Sequence, residues 1–411
     1  MTEIPRSDVE RSIPAQAVEQ LDSVVTTAIR DGVTPSAMLA VMHRGELVYE
    51  GGWGWQDPET KTPIRQDCLY DLASVTKLFT VTAFLAQVSA GKATLDMPLA
   101  AVVPEFAAIS PRSIVDSYDP INRQIVPMDP AHVGKLVAPT SVTMRHLLTH
   151  TSGLPPWRQF YAVAGPSPTP PGQLDPMPRE LRWARIFASL CTVDFAGLPG
   201  DKVRYTDIGL MLLGEAVARI SGQPLENAIR ARVISAISTL PDPISFNPVD
   251  QRIGLDRIVP TEYDSIWRRR RIHGEVHDEN ACAAGGVAGH AGLFASAETV
   301  ARFGQLWLEG AGGFNIAPEL AAEAVREQVV SNDLRRGLGF VIKPHVGANC
   351  GDLMSPETFG HTGFTGTSLW IDPRRKLVVA LLTNSVYHGR SMPGTYELRR
   401  AVHTILAEAL S

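Results

Sequence analysis

The sequence contains no hydrophobic run long enough to cross a membrane. A spanning helix needs about 20 consecutive apolar residues, and the longest candidate, residues 78–90, is interrupted by Gln87, two threonines and a serine. Residues 1–13 are charged and lack the apolar core of a signal peptide. We therefore predict a chain without a membrane span and with a cytoplasmic location.

Cysteine is also scarce, and the chain has no excess of basic residues. The four cysteines, Cys68, Cys191, Cys282 and Cys350, are far apart and form no Cys-x-x-Cys pair, which argues against a zinc or redox motif and predicts free thiols in a reducing compartment. The net charge is −5, whereas nucleic-acid-binding proteins usually carry a basic excess. We expect no nucleic-acid partner, and we interpret the basic run 268–271 as a solvated or ion-paired loop.

Strand-like segments lie near both ends of the chain, and helical patterns fill the middle. Residues 37–42 and 46–50 are joined by His43-Arg44-Gly45, which is typical of a hairpin. Strand-like runs return at 337–343, 367–372 and 376–382, after helical patterns at 179–191, 207–221 and 225–237. Loops rich in proline cover about 110–140 and 164–178. This order predicts an α/β (α+β) fold with one sheet assembled from both chain ends, flanked by helices, and with a helical lobe inserted between them.

The segment Asp71-Leu72-Ala73-Ser74-Val75-Thr76-Lys77 carries the first catalytic candidates. The apolar run 75–90 predicts a helix with Ser74 at its entrance, where free N–H groups favour developing negative charge. Lys77 follows three residues later and projects from the same face. A serine hydroxyl needs a base, and a lysine whose pKa is lowered by burial can take the proton or help another residue take it. The alternative is a helix-capping serine followed by an exposed lysine.

Arg204-Tyr205-Thr206-Asp207 precedes the predicted helix 207–221. In one interpretation Asp207 caps that helix and Tyr205 is a packed aromatic residue. In the other, Tyr205 lies near Lys77 and acts as a phenolate-type base and then as a general acid, because a neighbouring ammonium favours the phenolate.

Two further segments are candidates for the site. Gly360-His361-Thr362-Gly363-Phe364-Thr365-Gly366-Thr367 is rich in small residues, which let a backbone approach a substrate closely, and an edge strand there can donate an N–H to an oxyanion. The alternative is a glycine-rich hairpin.

Residues 273–281 hold His273 and His277, but Gly274 disfavours the helix that a metal site would need. We predict no metal there and expect instead a substrate-contact loop that includes His277 and Asp278; a self-satisfied polar loop is the alternative.

Ser74-x-x-Lys77, Tyr205-x-Asp207 and His361-Thr362-Gly363, in this order, resemble the motifs of the penicillin-recognising serine hydrolases. That superfamily includes class C β-lactamases, D-alanyl-D-alanine carboxypeptidases and family VIII carboxylesterases. The phrases at 147–155 and 292–294 resemble it too. Together with 273–281, the motifs are most similar to the branch of N-acetylmuramoyl-L-alanine amidases and penicillin-binding protein 4B-like hydrolases.

The resemblance implies a β-lactamase/transpeptidase-like fold with an antiparallel sheet and a single catalytic domain over 1–411. Its α/β lobe would comprise 14–95 plus 290–411, and its mainly helical lobe 96–289. It also implies that Ser74 forms an acyl-enzyme while Lys77 and Tyr205 shuttle the proton, with no metal or organic cofactor. The N–H groups of Ser74 and Phe364 would form the oxyanion hole. The substrate contacts would include Asp207, His361, Thr362 and Gly363.

Two departures from the superfamily pattern bear on the substrate. Asp207 stands where many members have asparagine, and an ionised carboxylate only accepts hydrogen bonds. His361 stands where β-lactamases commonly have lysine, and a histidine is only partly protonated near neutrality. We therefore expect a small-molecule ester or amide substrate, cleaved by carboxylesterase or muropeptide amidase activity. β-Lactamase or D-alanyl-D-alanine carboxypeptidase activity ranks below these. A non-catalytic ligand-binding or sensor domain and a metal hydrolase using His273 and His277 are the alternatives from other classes.

Overall fold

The computed structural model describes residues 6–119, 123–237, 244–331 and 334–411. In the described residues the helices are α1 (Ala15–Arg30), α2 (Thr76–Ser89), α3 (Met144–Leu148), α4 (Tyr161–Ala164), α5 (Arg179–Leu190), α6 (Asp207–Ser221), α7 (Leu225–Ile229), α8 (Ser235–Ile237), α9 (Glu279–Ala283), α10 (Ala297–Leu308), α11 (Pro318–Val325) and α12 (Thr395–Ala409). The strands are β1 (Arg6–Arg11), β2 (Ser36–His43), β3 (Glu46–Asp57), β4 (Thr62–Pro63), β5 (Tyr70–Asp71), β6 (Arg112–Ser113), β7 (Ser117–Asp119), β8 (Gln124–Val126), β9 (Leu136–Val137), β10 (Ser245–Phe246), β11 (Tyr263–Asp264), β12 (Arg270–Arg271), β13 (Leu293–Ala295), β14 (Val329–Ser331), β15 (Leu334–Arg336), β16 (Val341–Ile342), β17 (Phe359–Thr362), β18 (Ser368–Asp372) and β19 (Leu377–Thr383).

One large antiparallel sheet joins the two ends of the chain. Its strand order is β1-β3-β2-β19-β18-β17-β16-β15-β14, and β4 pairs with β3. The central pair, β2 and β19, runs in register from Ala37 opposite Thr383 to His43 opposite Leu377. The predicted fold class and the β2–β3 hairpin are confirmed, and the hairpin turns at Arg44 (φ 55) and Gly45 (φ 90), both in the left-handed region typical of such turns.

The sheet is covered by helices on both faces. Alternate residues of β2, namely Ala37, Leu39 and Val41, belong to the apolar cluster formed with α1 and α12. The residues between them, such as Met38 and Ala40, belong to the cluster that includes α2, α6 and α10. Burial on both faces explains why these strands are nearly continuous apolar runs.

The middle of the chain holds α3 to α9 and the short strands β6 to β12. The predicted loop at 110–140 contains β6 to β9, whose pairs of two or three residues are too short to leave a period in the sequence. The predicted helix 225–237 is divided, because a π-helical turn at Arg230–Ile234 separates α7 from α8. The division of the chain into two lobes stays a prediction.

Two strands of the large sheet differ from the sequence prediction. Arg6–Arg11 pairs with β3, although residues 1–13 were expected only to be a charged terminus. The predicted strand 337–343 shortens to Val341–Ile342, because Gly339 has φ 81 and leaves the extended conformation.

In the described ranges, no helix has both the length and the hydropathy needed to cross a bilayer. The four cysteines are free and buried.

Candidate active site

Ser74 follows a strained turn that connects β5 to α2. Ala73 has φ 46, a left-handed conformation that non-glycine residues adopt rarely and often at functional sites. Its N–H donates to Asp71 Oδ1 over 2.8 Å, and the buried Asp71 carboxylate also accepts from the N–H of His277 over 2.6 Å. Asp71 therefore holds the backbone that presents Ser74 at the entrance of the helix.

The Ser74 hydroxyl receives two hydrogen bonds from distant segments. Lys77 Nζ donates to Ser74 Oγ over 2.8 Å, and the Tyr205 hydroxyl donates to the same oxygen over 2.8 Å. Lys77 is only 1% exposed, whereas Ser74 and Tyr205 are partly exposed. The structure thus places the three predicted catalytic residues around one accessible hydroxyl.

Tyr205 is positioned by the start of α6. Thr206, not Asp207, is the N-cap, because its hydroxyl accepts from the N–H of Gly209 over 3.4 Å. The same hydroxyl donates to the Pro155 carbonyl over 2.6 Å, and the Thr206 N–H donates to His150 Nδ1 over 3.2 Å. The His150 ring lies 4.7 Å from the Tyr205 ring, so the phenol is held against the 150–155 segment.

Asp207 occupies the other side of Lys77. Its Oδ1 lies 2.7 Å from Lys77 Nζ, with the carboxylate side chain 18% exposed. Burial alone would lower the pKa of Lys77, but attraction to Asp207 and Tyr205 outweighs burial and raises it. The expectation of a lysine with a lowered pKa is therefore wrong, because the sequence did not reveal this ion pair.

Before the reaction, Lys77 is an ammonium and Tyr205 is a neutral phenol. Burial raises the pKa of Tyr205, the Lys77 ammonium opposes this, and Asp207 adds to the rise. The net pKa lies above its ordinary value. Ser74 therefore lies between an ammonium and a phenol until this coupled group loses a proton.

The third motif closes the site from the sheet. The Thr365 hydroxyl donates to the Asp71 carbonyl over 2.8 Å, and the Thr367 hydroxyl donates to the Leu72 carbonyl over 3.0 Å. A Cβ at Gly363 would lie 2.1 Å from Thr367 Oγ1 and 2.6 Å from the Leu72 oxygen, so only glycine fits. The turn that carries Phe364 is thereby fastened to the segment that carries Ser74.

The third motif does not lie on an edge strand, contrary to the prediction. β17 lies between β16 and β18, but β16 pairs only with Phe359 and Gly360. His361 and Thr362 extend beyond β16 and have a strand neighbour on one side alone, which leaves a local edge at the site.

His361 is buried and neutral. Its Nδ1–H donates to the Thr362 carbonyl over 2.8 Å. Burial, together with the charges of Arg336 and Lys77, holds the pKa of His361 well below its ordinary value. The partial protonation expected from the sequence is therefore wrong, and His361 supplies no positive charge for a substrate carboxylate.

The 273–281 segment supports the site through its own contacts. His277 Nε2 lies 3.1 Å from Glu262 Oε2, and its ring stacks on Phe364 with centroids 5.7 Å apart. Asp278 caps α9 and lies 2.9 Å from His290 Nε2. Both side chains have intramolecular partners, and their direct contact with a substrate stays a prediction.

His273 is separate from the catalytic group. Its Nε2 contacts the carbonyls of Leu255 and Ile258 at 3.1 and 2.9 Å, and it shares no ligand-like cluster with His277. Across the described ranges, no group of three or more histidine, cysteine, aspartate or glutamate side chains could hold a metal ion.

Sequence reasoning missed three residues around the site. Asp71 fixes the Ser74 turn, and Arg399 in α12 donates to the carbonyls of Gly363 and Thr367 over 2.9 Å each. The third is Arg336, whose Cζ lies 5.4 Å from the centre of the Tyr205 ring. Asp71 lies in the first candidate segment but was given no role there, and Arg336 and Arg399 are single residues outside the motifs, so spacing carried no signal for them.

Known proteins are similar to this chain in sequence and in fold. The chain matches the protein family described as Beta-lactamase over residues 21–404. It is 30% identical over 411 residues to "Esterase EstB" of Burkholderia gladioli, with 95% of this chain and 96% of the esterase covered. It is 28% identical over 392 residues to an Escherichia coli (strain K12) protein named "Putative D-alanyl-D-alanine carboxypeptidase", with 90% and 82% covered. A penicillin-binding protein homologue from Caulobacter crescentus has the same fold, with a TM-score of 0.67, 20% identity, and 98% of this chain and 99% of that chain covered.

Proposed function

The chain belongs to the Beta-lactamase family, and on that premise we propose that it is a serine hydrolase that cleaves small esters or amides through an acyl-enzyme on Ser74. The observation that carries this proposal is the double hydrogen bond to one hydroxyl, from Lys77 and Tyr205, each over 2.8 Å. A nucleophile within hydrogen-bond reach of its base, with the base oriented by a third group, is the arrangement of covalent catalysis.

The reaction begins when the coupled Lys77–Tyr205 group has lost one proton. The phenolate of Tyr205, stabilised by the Lys77 ammonium, takes the Ser74 proton as Ser74 Oγ bonds to the substrate carbonyl carbon. The N–H groups of Ser74 and Phe364 receive the oxyanion. Tyr205 then gives the proton to the leaving group as the carbon–heteroatom bond breaks.

The acyl-enzyme is released by water along the same route. Tyr205 takes a proton from the attacking water, the ester bond to Ser74 breaks, and the proton returns to Ser74 Oγ. Asp207 has no direct part in either step. Its role is to hold Lys77 charged, and this makes Asp207 a positioning residue for the proton transfer.

Ester and amide cleavage are the favoured activities. The 30% identity to an esterase across both chains supports an ester substrate, and muropeptide amidase activity uses the same steps. β-Lactamase activity is disfavoured, because Asp207 is paired with Lys77 and His361 is neutral. The name of the Escherichia coli relative supports D-alanyl-D-alanine carboxypeptidase activity as a second candidate. A non-catalytic sensor would bind substrate without turnover.

The test is a substrate panel with the wild-type protein, Ser74→Ala, and Ser141→Ala as a matched control on an exposed turn. We expect turnover of p-nitrophenyl acetate by the wild type and Ser141→Ala, and none above background by Ser74→Ala. Muropeptides, a peptide ending in D-alanyl-D-alanine and a chromogenic cephalosporin then rank the finer activities. Turnover that persists in Ser74→Ala, or binding without turnover in the wild type, contradicts the proposal.

A further inference from the structure

His277 contacts both of the segments that would supply the oxyanion hole. Its backbone N–H donates to Asp71 Oδ2 over 2.6 Å, and Asp71 Oδ1 accepts from the N–H of Ala73 over 2.8 Å. Ala73 has φ 46, a conformation that a non-glycine residue rarely adopts without support from its surroundings. Ser74 follows directly, so the Asp71 carboxylate connects His277 to the first of the two proposed donors.

The imidazole ring of His277 contacts the second proposed donor. It stacks on the Phe364 ring, with centroids 5.7 Å apart and an angle of 30° between the ring planes, and this spacing is favourable for two aromatic rings. The next residue, Thr365, donates its hydroxyl to the Asp71 carbonyl over 2.8 Å. A shift of the Phe364 backbone would break the ring contact, so His277 restricts where the Phe364 N–H can lie.

Glu262 and Arg390 fix the orientation of the His277 ring. The His277 residue is 3% exposed, and its Nε2 lies 3.1 Å from Glu262 Oε2. Burial alone would raise the pKa of Glu262, but its contacts with His277 and Arg390 lower this pKa to about 2. Arg390 also holds the Glu262 carboxylate from its other side, with donations to both oxygens over 2.9 and 3.0 Å. The ring therefore faces an ionised carboxylate that is itself held in place.

His273 lies in the same segment and has different partners. Its Nε2 contacts the carbonyls of Leu255 and Ile258 at 3.1 and 2.9 Å. The two histidines are four residues apart, but only His277 contacts Asp71 and Phe364. His273 is therefore a matched control for the loss of an imidazole from this segment.

We propose that His277 is a positioning residue that sets the separation of the two N–H groups of the oxyanion hole, through its backbone on the Ser74 side and through its ring on the Phe364 side. This inference rests on the proposed hydrolase function and adds a residue to its machinery. Donors of an oxyanion hole act only when they are aimed at the developing oxyanion. A misplacement of about 1 Å can cost roughly 100-fold in rate.

Three variants at this position separate the ring from its polar contact. His277→Ala removes both, His277→Gln keeps a donor for Glu262 without a ring, and His277→Phe keeps a ring against Phe364 without the donor. All three retain the backbone N–H that binds Asp71. We expect kcat/KM for p-nitrophenyl acetate to fall about 100-fold in His277→Ala and His277→Gln, and His277→Phe to recover at least tenfold of that loss. His273→Ala should match the wild type.

A comparison of oxygen and sulfur substrates shows whether the oxyanion hole is the part affected. p-Nitrophenyl acetate and its thionoacetate analogue differ in the atom that becomes the anion, and sulfur is a weak hydrogen-bond acceptor. The ratio of their kcat/KM values should fall at least tenfold in His277→Ala and stay at the wild-type value in His273→Ala. A loss of folded protein lowers both values equally and leaves the ratio unchanged. An unchanged ratio in His277→Ala, or no recovery in His277→Phe, overturns the inference.

The rate of covalent labelling keeps this test apart from turnover. A fluorophosphonate forms a bond from phosphorus to Ser74 Oγ and releases fluoride as the base takes the serine proton, with its phosphoryl oxygen in the oxyanion hole. The second-order rate constant should fall at least tenfold in His277→Ala and stay unchanged in His273→Ala. If labelling follows this pattern but the wild type turns over no ester, the proposed hydrolysis fails while the positioning role stands. If esters are turned over and His277→Ala is labelled as fast as the wild type, the positioning role alone fails.

Discussion

Replacing Asp207 with asparagine should move the pH dependence of catalysis to lower pH. The Asp207 carboxylate raises the pKa of Lys77, against the effect of burial, and it adds to the burial that raises the pKa of Tyr205. Asp207→Asn removes the negative charge and keeps the shape, so both pKa values fall. The coupled Lys77–Tyr205 group must lose one proton before it can act as a base, and in Asp207→Asn it loses that proton at a lower pH.

The size of the shift follows from the ion-pair distance. Two unit charges 2.7 Å apart attract by roughly 6 kcal/mol at an effective dielectric constant of about 20. The partial exposure of Asp207, 18%, and the remaining amide dipole reduce the difference. We expect a downward shift of about 1 to 3 pH units, the range that a neighbouring opposite charge produces in proteins.

The assay is kcat/KM for p-nitrophenyl acetate between pH 5 and 10, corrected for uncatalysed hydrolysis. Asp201→Asn is the matched control, because it removes the same charge from a carboxylate that pairs with His132. Its profile should coincide with that of the wild type. A profile of Asp207→Asn that is unmoved, or displaced to higher pH, would refute the assignment of Asp207 as the group that holds Lys77 charged.

Two further substitutions test how the turn that carries Phe364 is held against the Ser74 segment. Gly363→Ala places a methyl group against Thr367 Oγ1 and should lower kcat/KM for p-nitrophenyl acetate by about 100-fold or more. Gly312→Ala, where a Cβ meets no atom within 4 Å, should leave kcat/KM unchanged. Equal kcat/KM values in the two variants would contradict the steric role of Gly363. Arg399→Met leaves buried carbonyls of the turn without a donor and should lower the free energy of unfolding by about 3 kcal/mol in urea denaturation. Arg400→Met, at an exposed neighbour, should change it little, and an equal loss in both variants would count against the anchoring role.

Much of the fold follows from hydrophobic periodicity. The apolar runs at 37–42 and 46–50 placed β2 and β3, and the apolar run after Ser74 placed α2 within one residue of each end. Periodicity was sufficient because these elements bury one face or all faces. It failed for Arg6–Arg11 and for β6 to β9, since short pairings depend on the partner strand more than on the residues themselves.

In the candidate site, contacts between residues close in sequence could be predicted, and contacts between distant segments could not. The spacing of Ser74 and Lys77 on one helical turn placed both groups together, because that geometry is local. The Lys77–Asp207 pair depends on how α6 lies against α2. The neutrality of His361 depends on its burial, and then on the charge of Arg336 from another strand. Neither relation could be inferred from spacing, because a sequence pattern shows which face is buried and not which distant side chain meets it.

The nucleophile is tested most directly by covalent labelling. The protein is incubated with a fluorophosphonate, its intact mass is measured, and the modified peptide is identified. Our account predicts a single adduct on Ser74, absent from Ser74→Ala and present in Ser141→Ala. An adduct on another residue, or labelling that is undiminished in Ser74→Ala, would contradict the claim that Ser74 is the catalytic nucleophile.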